Sequence, residues 1–497
     1  MTRRILSAIL AASIVASAAA ACGDSGSAAP ASTTAPSEGS PSAAEPEETS
    51  PPDYLIHDGV EETDLGGYTY TELGRFTPDI SSFYENGLYA EELNGDAIND
   101  IVYRRNHDIM DRFNCNIEFL NKNDADIQSM VTKTVKAGED AYQSVIYGQS
   151  TFGGWGLDGL LYDWKTLDTP QLDKPWWDQD VNNGSVIGGR LYFVYGSTLI
   201  NFKISLYMTI LNGKVANDYG IPASDLYGAV RDGTWTLDKF YSLATQVKED
   251  SDGNGQYDQY DLWGFGGEGY NAYTYCIGAG ADFMREEDGS FIEMLDDERT
   301  VDICMKVLQM YSDTEACLLC QNIKNSDNVW AARDTMMKTD RMLFFVGAMR
   351  PWLREMESDY SILPNPKLNE AQTEYYHLTS CYNAPVAAMP VSVADPEKAA
   401  LMLELMNYEA YNELMPVFYQ NFLNTKMVRD EESVEMLKII HGSIKVDKMA
   451  IFIFDIPGTL TDYAVRAKAD YASQIAKQIK SVNKKIDKLH AQLEENG

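Results

Sequence analysis

Between residues 94 and 247 the apolar side chains change their spacing several times, and that alternation narrows the fold more than any composition value. Ile98, Ile101, Val102, Ile109 and Phe113 recur at helical intervals over 94–113, and 115–120 then reads as a strand. Residues 126–136 predict a second helix and 144–147 a second short strand. The apolar run Gly189-Arg-Leu-Tyr-Phe-Val-Tyr-Gly196 predicts a buried strand, and Thr236 is placed to cap a helix reaching Val247. Helices and strands alternating in this way give an α/β architecture.

The N-terminus obeys different rules. Arg3 and Arg4 precede an apolar run over 5–15 and a small-residue stretch ending at Cys22, the layout of a secretory signal peptide in residues 1–21. The run is too short to span a membrane. Ala19-Ala20-Ala21-Cys22 resembles a bacterial lipobox, with Ala19 where Leu is usual, so Cys22 is the expected lipidation site. From Gly23 to Asp53 the chain has no aromatic residue, no Lys and no Arg, and it cannot bury enough apolar surface to fold. Residues 22–53 therefore read as a lipidated, disordered tether holding a folded body on the order of 30 Å from its anchor.

The remaining residues, 54–497, carry the core. Seventy-five acidic against 40 basic side chains leave a net charge of −35, which repels nucleic acid and anionic headgroups. Apart from Cys22 there are cysteines at 115, 276, 304, 317, 320 and 381, whose spacing fits either disulfides or buried thiols. Cys317-Leu-Leu-Cys320 lacks a second pair or a nearby His, which discounts zinc.

Enzyme signatures are scarce. The five histidines form no HExxH or paired spacing, and neither a G-x-S-x-G elbow nor a phosphate loop is present. Gly264-Phe-Gly266-Gly-Glu-Gly269 satisfies GxGxxG, but only 262–265 is left for an upstream strand, so it reads as a flexible turn. Trp235 and Trp263 read as core. Near the C-terminus Ile475, Ile479, Val482, Ile486, Leu489 and Leu493 alternate by four and three, with lysines between them. That pattern predicts an amphipathic helix packed on the body.

One stretch points to a metal. Residues 250–261, DSDGNGQYDQYD, nearly match the calcium-loop pattern, with Asp250, Asp252, Asn254, the Gln256 carbonyl, Asp258 and Asp261 as ligands. Asp261 is one methylene shorter than the usual Glu. A sensor needs a helix-loop-helix that opens, whereas this loop runs into Leu-Trp-Gly-Phe, a strand; calcium is expected to be structural.

Several segments, in this order, resemble the family-1 extracellular solute-binding lipoproteins of bacterial ABC importers, the maltose-binding-protein-like group. They are GEDAYQSVI (138–146), LLYDWKTL with PWWD (160–178), GGRLYFVYG (188–196), the whole of 233–265, and YSILPNPKL (360–368). The family's Asn-Lys pair is replaced here by Asn212-Gly213-Lys214. The resemblance implies two α/β lobes closing on a ligand by hinge rotation. Lobe one would be 54–200 plus 346–386 and lobe two 201–345 plus 387–497, with crossings near 195–201, 345–349 and 384–389. It further implies a monomer without catalytic residues, held outside the cell membrane of a Gram-positive bacterium through its lipid alone. That monomer would capture a mono- or oligosaccharide for ABC permease subunits. The candidate ligand contacts are Trp155, Tyr195, Glu268, Tyr270, Arg350, Trp352, Tyr382 and Asn383, the aromatics for sugar faces and the polar groups for hydroxyls. The alternative is a secreted carbohydrate-active hydrolase stabilised by the same calcium loop.

Overall fold

The predicted helix at 94–113 begins at Ala97 because Asp96 accepts the Ile98 and Asn99 amides, at 3.0 Å each. It ends at Phe113 because Asn114 takes a left-handed conformation, φ 47°, that asparagine tolerates. The next helix, Asp124–Ala137, is capped by Asn123. The computed structural model describes residue 60 and residues 63–75, 87–424 and 427–495. The expected signal peptide, Cys22 and the tether lie outside the described residues.

The described strands are β1 (Tyr68–Gly74), β2 (Cys115–Asn121), β3 (Ser144–Gly148), β4 (Tyr207–Asn212), β5 (Trp263–Gly267), β6 (Met284–Glu287), β7 (Ser290–Glu293), β8 (Cys317–Leu319), β9 (Met342–Ala348), β10 (Tyr360–Leu363) and β11 (Pro385–Ala388). They form two main sheets, ordered β11-β3-β1-β2 and β10-β4-β9-β5-β8, and a hairpin, β6-β7. In the first, β1 to β3 run parallel, with helices Ala97–Phe113 and Asp124–Ala137 as crossovers, and β11 is antiparallel to β3. In the second, β5 is parallel to β8 and β9, while β4 runs antiparallel to both its neighbours, β9 and β10. Every residue of β4, β5, β8, β9 and β10 is buried, as expected for strands covered on both faces. This is a two-lobe α/β fold. Among the described residues, no helix is long and apolar enough to cross a membrane.

Several expectations are corrected here. Residues 191–196 are buried, but 189–196 form no strand: the stretch makes only isolated bridges, Arg190 with Ile187, Gly196 with Trp177, and Val194 with Ala387, the last exchanging both backbone bonds at 2.8 and 2.9 Å. Side chains satisfy neighbouring amides instead, Asp163 accepting the Leu191 amide and Asn182 the Tyr195 amide. β10 falls within 346–386, the span expected in lobe one, yet it pairs with β4 in the second sheet, as does all of β9 with its own neighbours. The C-terminal part divides as well. Helix Pro396–Glu409 packs on helix Ala97–Phe113, whereas helix Glu431–His441 packs on β10. The last helix, Ile479–Glu495, buries Val482, Ile486 and Leu489 against both the β6-β7 hairpin and helix Gln149–Leu157, rather than one lobe alone. The GxGxxG glycines are not a flexible turn. Gly264 and Gly266 lie inside buried β5, where a Cβ on Gly264 would sit 2.1 Å from the Ala244 carbonyl.

Other readings hold. Trp235 and Trp263 are core residues, and the six cysteines are buried free thiols. The PWWD stretch has a physical role: Trp176 and Trp177 donate their indole N–H groups to the two Glu404 oxygens at 2.8 and 2.7 Å. Burial pushes the Glu404 carboxyl upward, opposed by those two indoles and the Gln171 amide.

Glu72 lies inside the first sheet, beside Tyr70 and Ser144. Burial raises its carboxyl to about 7, partly opposed by Arg105 and its two hydroxyl neighbours. Because the folded value is raised, its contribution to stability is fully present below the ordinary value near 4.5 and is lost as pH climbs through about 7. Glu72→Gln should flatten a decline of up to roughly 3 kcal/mol over that window, read by denaturant unfolding at stepped pH. An unchanged slope would place the titration elsewhere.

Candidate functional site

Open α/β sheets bind ligands beyond the carboxyl ends of their strands. In the second sheet β5 is followed by Glu268, β8 by Cys320 and Gln321, and β9 by Met349 and Arg350, with Trp352 just beyond. Tyr207 opens β4 at the same edge, because β4 is antiparallel to β9 and Tyr207 pairs with Ala348. Helix Val329–Lys338 follows β8 through the short 3-10 turn Cys320–Asn322 and residues 323–328, and its first turns carry Trp330 and Arg333.

These side chains form one wall. The Tyr207 hydroxyl donates to Glu268 Oε1 at 2.9 Å. Burial pushes the Tyr207 phenol well up, the Glu268 carboxylate adds to this, and Arg350 opposes it. Arg333 is only 6% exposed, with its guanidinium carbon 5.3 Å from the Trp330 ring and 5.2 Å from that of Phe345. Burial alone would weaken its charge, but the Asp334 and Glu268 carboxylates more than offset this. It also donates to Asp334 Oδ1 through Nε and Nη2, at 2.8 and 2.6 Å. Phe345 meets Trp352 edge-on, with centroids 5.3 Å apart at 90°. The wall thus presents a carboxylate, a guanidinium and flat aromatic faces, the groups that hydrogen-bond hydroxyls and cover the C–H side of a sugar ring.

The connection from β10 to β11 closes one end of this wall. Tyr270 lies 5.1 Å from Tyr207 and 6.1 Å from Tyr382, ring to ring. Tyr382 is 37% exposed and donates to Asp455 Oδ1. Its backbone presses on the end of β3, where a Cβ on Gly148 would sit 2.0 Å from the Tyr382 carbonyl oxygen. Glycine alone permits that approach.

The structure therefore gathers Glu268, Tyr270, Arg350, Trp352 and Tyr382, with Asn383 exposed beside Tyr382. It treats two candidates differently. Tyr195 is 2% exposed, stacked on Phe202 at 4.1 Å with Lys203 over its ring, so its faces are occupied. Trp155 lies on helix Gln149–Leu157, half-buried 5.7 Å from Phe152. Tyr207, Trp330 and Arg333 are additions that the sequence reading missed. The signal for two of them was Asn328, whose side chain accepts the Trp330 and Ala331 amides at 3.1 Å and so starts a helix.

The acidic loop lies at the opposite edge of β5. An antiparallel bridge, Glu249 to Leu262, closes its base. One carboxylate oxygen each from Asp250, Asp252 and Asp261 lies within 4.8 Å of the others. Asp261 is fully buried and its two oxygens accept the Ser251 and Asp258 amides at 2.9 and 2.8 Å. Asn254 Oδ1 accepts the Gln256 amide, and Asp258 accepts the Tyr260 amide while its carbonyl takes the Trp263 indole. Asp250 Oδ1 is buried without a hydrogen-bond partner, which suits a cation held by these residues.

No protein-family model and no curated protein sequence matches the chain. Solved structures do. A cyclo/maltodextrin-binding protein complexed with maltotetraose aligns over 86% of this chain and 96% of its own, with TM-score 0.53 and 13% identity. An ABC substrate-binding protein from Listeria monocytogenes in complex with cycloalternan aligns over 85% and 99%, with TM-score 0.53 and 11% identity. UspC of M. tuberculosis aligns over 85% and 100%, with TM-score 0.52 and 12% identity. The fold is therefore that of the two-lobe, maltose-binding-protein-like solute-binding proteins.

Arg333 packs between the Trp330 and Phe345 rings and pairs with Asp334, so removing it empties a buried site and takes a counter-charge from Asp334. Arg333→Ala should lower stability by about 3 kcal/mol in denaturant unfolding. A loss within about 0.5 kcal/mol, the range of ordinary surface changes, would show that the wall does not depend on it.

Proposed function

We propose that this chain is an extracellular solute-binding lipoprotein that captures a carbohydrate for an ABC importer. The observation that carries the reading is the wall formed by Glu268, Arg350, Tyr207, Trp352 and Trp330 at the ligand-binding edge of the second sheet. The oligosaccharides bound by similarly folded proteins support it. In this reading Glu268 and Arg350 bond sugar hydroxyls, Trp352 and Tyr382 cover ring faces, and the lobes close around the ligand. No bond is made or broken. Cys22 supplies the lipid anchor, the body is a monomer outside the cell membrane, and the permease subunits are its protein partners.

Mass spectrometry of ligand released from the purified protein identifies the sugar. Trp352→Ala and Glu268→Ala should then each weaken calorimetric affinity by about 1 kcal/mol or more without lowering the folded fraction. Unchanged affinity in both would move the site off this wall. Product formed from the sugar at catalytic protein concentration would instead support the hydrolase alternative.

Calcium is proposed as a structural ion held by Asp250, Asp252, Asn254, the Gln256 carbonyl, Asp258 and Asp261. When bound it would supply the positive charge that the converging carboxylates lack, as an extracellular module of weak affinity does. A chelator should lower Tm while leaving ligand preference unchanged, because an ion bound to the native state alone stabilises it by mass action. Asp252→Ala should abolish that difference. Identical melting in chelator and in millimolar calcium would refute the site.

A further inference from the structure

The last helix, Ile479–Glu495, is held by one face: Val482, Ile486 and Leu489 are buried against the β6-β7 hairpin, helix Gln149–Leu157 and residues 449–453. At about 100° per residue, Lys484 stands roughly 200° round the axis from Val482. Lys480, Lys484 and Lys488, four residues apart, therefore form one stripe pointing away from the body, and all three are exposed. Exposed Lys477, in the turn before the helix, and exposed Lys485 extend it. In a chain of 75 acidic and 40 basic side chains, residues 477–488 thus hold five lysines and a single acid, Asp487. This pattern works against the helix that carries it. Like charges four residues apart destabilise a helix, and Lys480 in the first turn with Glu494 and Glu495 at the end opposes the helix dipole. Elsewhere the chain uses the same spacing to pair opposite charges, Lys214 with Asp218 and Arg466 with Asp462, each at 2.6 Å. Among the described residues no carboxylate comes within ion-pair distance of Lys480, Lys484 or Lys488. Neither helix stability nor an internal partner accounts for the stripe.

We propose that this stripe docks on anionic phospholipid headgroups and lays the body against the membrane to which Cys22 anchors it. The inference rests on the lipoprotein reading above. Charge complementarity selects the partner. Lysines are point charges on flexible stems, suited to a mobile array of phosphates, whereas bidentate grip on one fixed phosphate favours Arg, and residues 477–488 hold none. The chain as a whole repels such a surface, but at physiological salt exposed charges act over about 8 Å, so headgroups touching the stripe are screened from acids elsewhere on the body. A tether that keeps the body on the order of 30 Å from its anchor holds the headgroups at high effective concentration, so a weak contact suffices. Because the opposite face of the helix is packed on the hairpin and on helix Gln149–Leu157, contact through the stripe orients the whole body.

The test places the lipidated protein, as exported, in vesicles of phosphatidylcholine alone or mixed with phosphatidylglycerol in about equal parts. Exposed lysines are acetylated with limiting reagent and mapped by peptide mass spectrometry. Lys480, Lys484 and Lys488 should react about fivefold more slowly on the anionic vesicles, and about 0.5 M salt should erase the difference. Lys133, exposed on helix Asp124–Ala137, should react alike on both. Energy transfer from the body's tryptophans to a dansyl-labelled lipid should rise on anionic vesicles in the wild type, but not in the combined variant Lys480→Gln, Lys484→Gln, Lys488→Gln. Equal reactivity of the stripe on both vesicles, or an equal slowing of Lys133, would overturn the docking and leave the anchor standing. Protection in native membranes but in neither vesicle would assign the stripe to an acidic protein segment and overturn the headgroup proposal. Protein whose intact mass shows no lipid on Cys22 would remove the anchor and this inference together.

Discussion

Backbone that leaves one sheet to enter another has no ladder to satisfy it, and the structure depends on how that need is met. In the passage before β4, Asn182 accepts the Tyr195 amide at 2.8 Å and donates to its carbonyl at 3.1 Å. Asn407 Oδ1 then accepts the Thr198 amide at 3.0 Å. In the passage from β10 to β11, His377 Nε2 accepts the Asn365 amide at 2.9 Å, which leaves the proton on Nδ1 for Ser443 Oγ at 2.8 Å. Burial keeps that imidazole neutral, lowering it to about 3, with His441 as a lesser cause. A charged ring could not accept the amide. Each passage is pinned by a few side chains, which satisfy backbone groups that no ladder reaches.

The same pinning explains why Gly148 and Tyr382 matter together. The second passage runs back so tightly over the end of β3 that only a glycine leaves room, and it emerges with Tyr382 beside Tyr270. A residue of the connection is thereby added to the ligand edge of the second sheet. Asp447 is held near this passage by the Tyr273 hydroxyl at 2.9 Å, and burial raises its carboxyl to about 6. The candidate site and the passage between the sheets therefore share residues rather than occupying separate parts of the molecule.

How much of this the sequence disclosed depends on the range of the interaction. Helical spacing and caps are local: Thr236 starts its helix as expected, though that helix ends at Ala244 rather than Val247, and the helices expected over 94–113 and 126–136 run Ala97–Phe113 and Asp124–Ala137 behind the Asp96 and Asn123 caps. The stretch 189–196 carries a strand's composition, but the Asp163 and Asn182 side chains take the Leu191 and Tyr195 amides and only isolated bridges tie it to other backbone, which no alternation records. β10 could not be assigned to its sheet because antiparallel addition to β4 is decided by pairing across more than a hundred residues. Within the site, Glu268, Tyr270, Arg350 and Trp352 were legible because they follow strand ends. Arg333 was not, since a lone arginine in a helix reads as solvated until Trp330, Phe345 and Asp334 are seen around it. Tyr195 misled for the converse reason: position beside a crossing does not reveal that Phe202 covers the ring.

β5 ties these observations into one argument about division of labour. Its first residue, Trp263, donates its indole N–H into the acidic loop, and Glu268 stands just past its last, roughly 16 Å away at the usual rise per residue. The strand is buried throughout, and helix Leu237–Ala244 packs so closely on Gly264 that no side chain fits between them. Loosening the loop therefore acts on the strand's registration with β9, where Trp263 donates its amide to the Arg341 carbonyl at 3.0 Å, before it can act on the Glu268 carboxylate. Arg341 also reaches back to the loop at the Gln259 carbonyl, 2.8 Å away, so the far edge is closed upon itself. A packed strand of this kind transmits displacement poorly to side chains at its other end, because the sheet and helix around it resist deformation. Changes at the loop should consequently register as stability, and changes at Glu268 or Trp352 as affinity, within one continuous core.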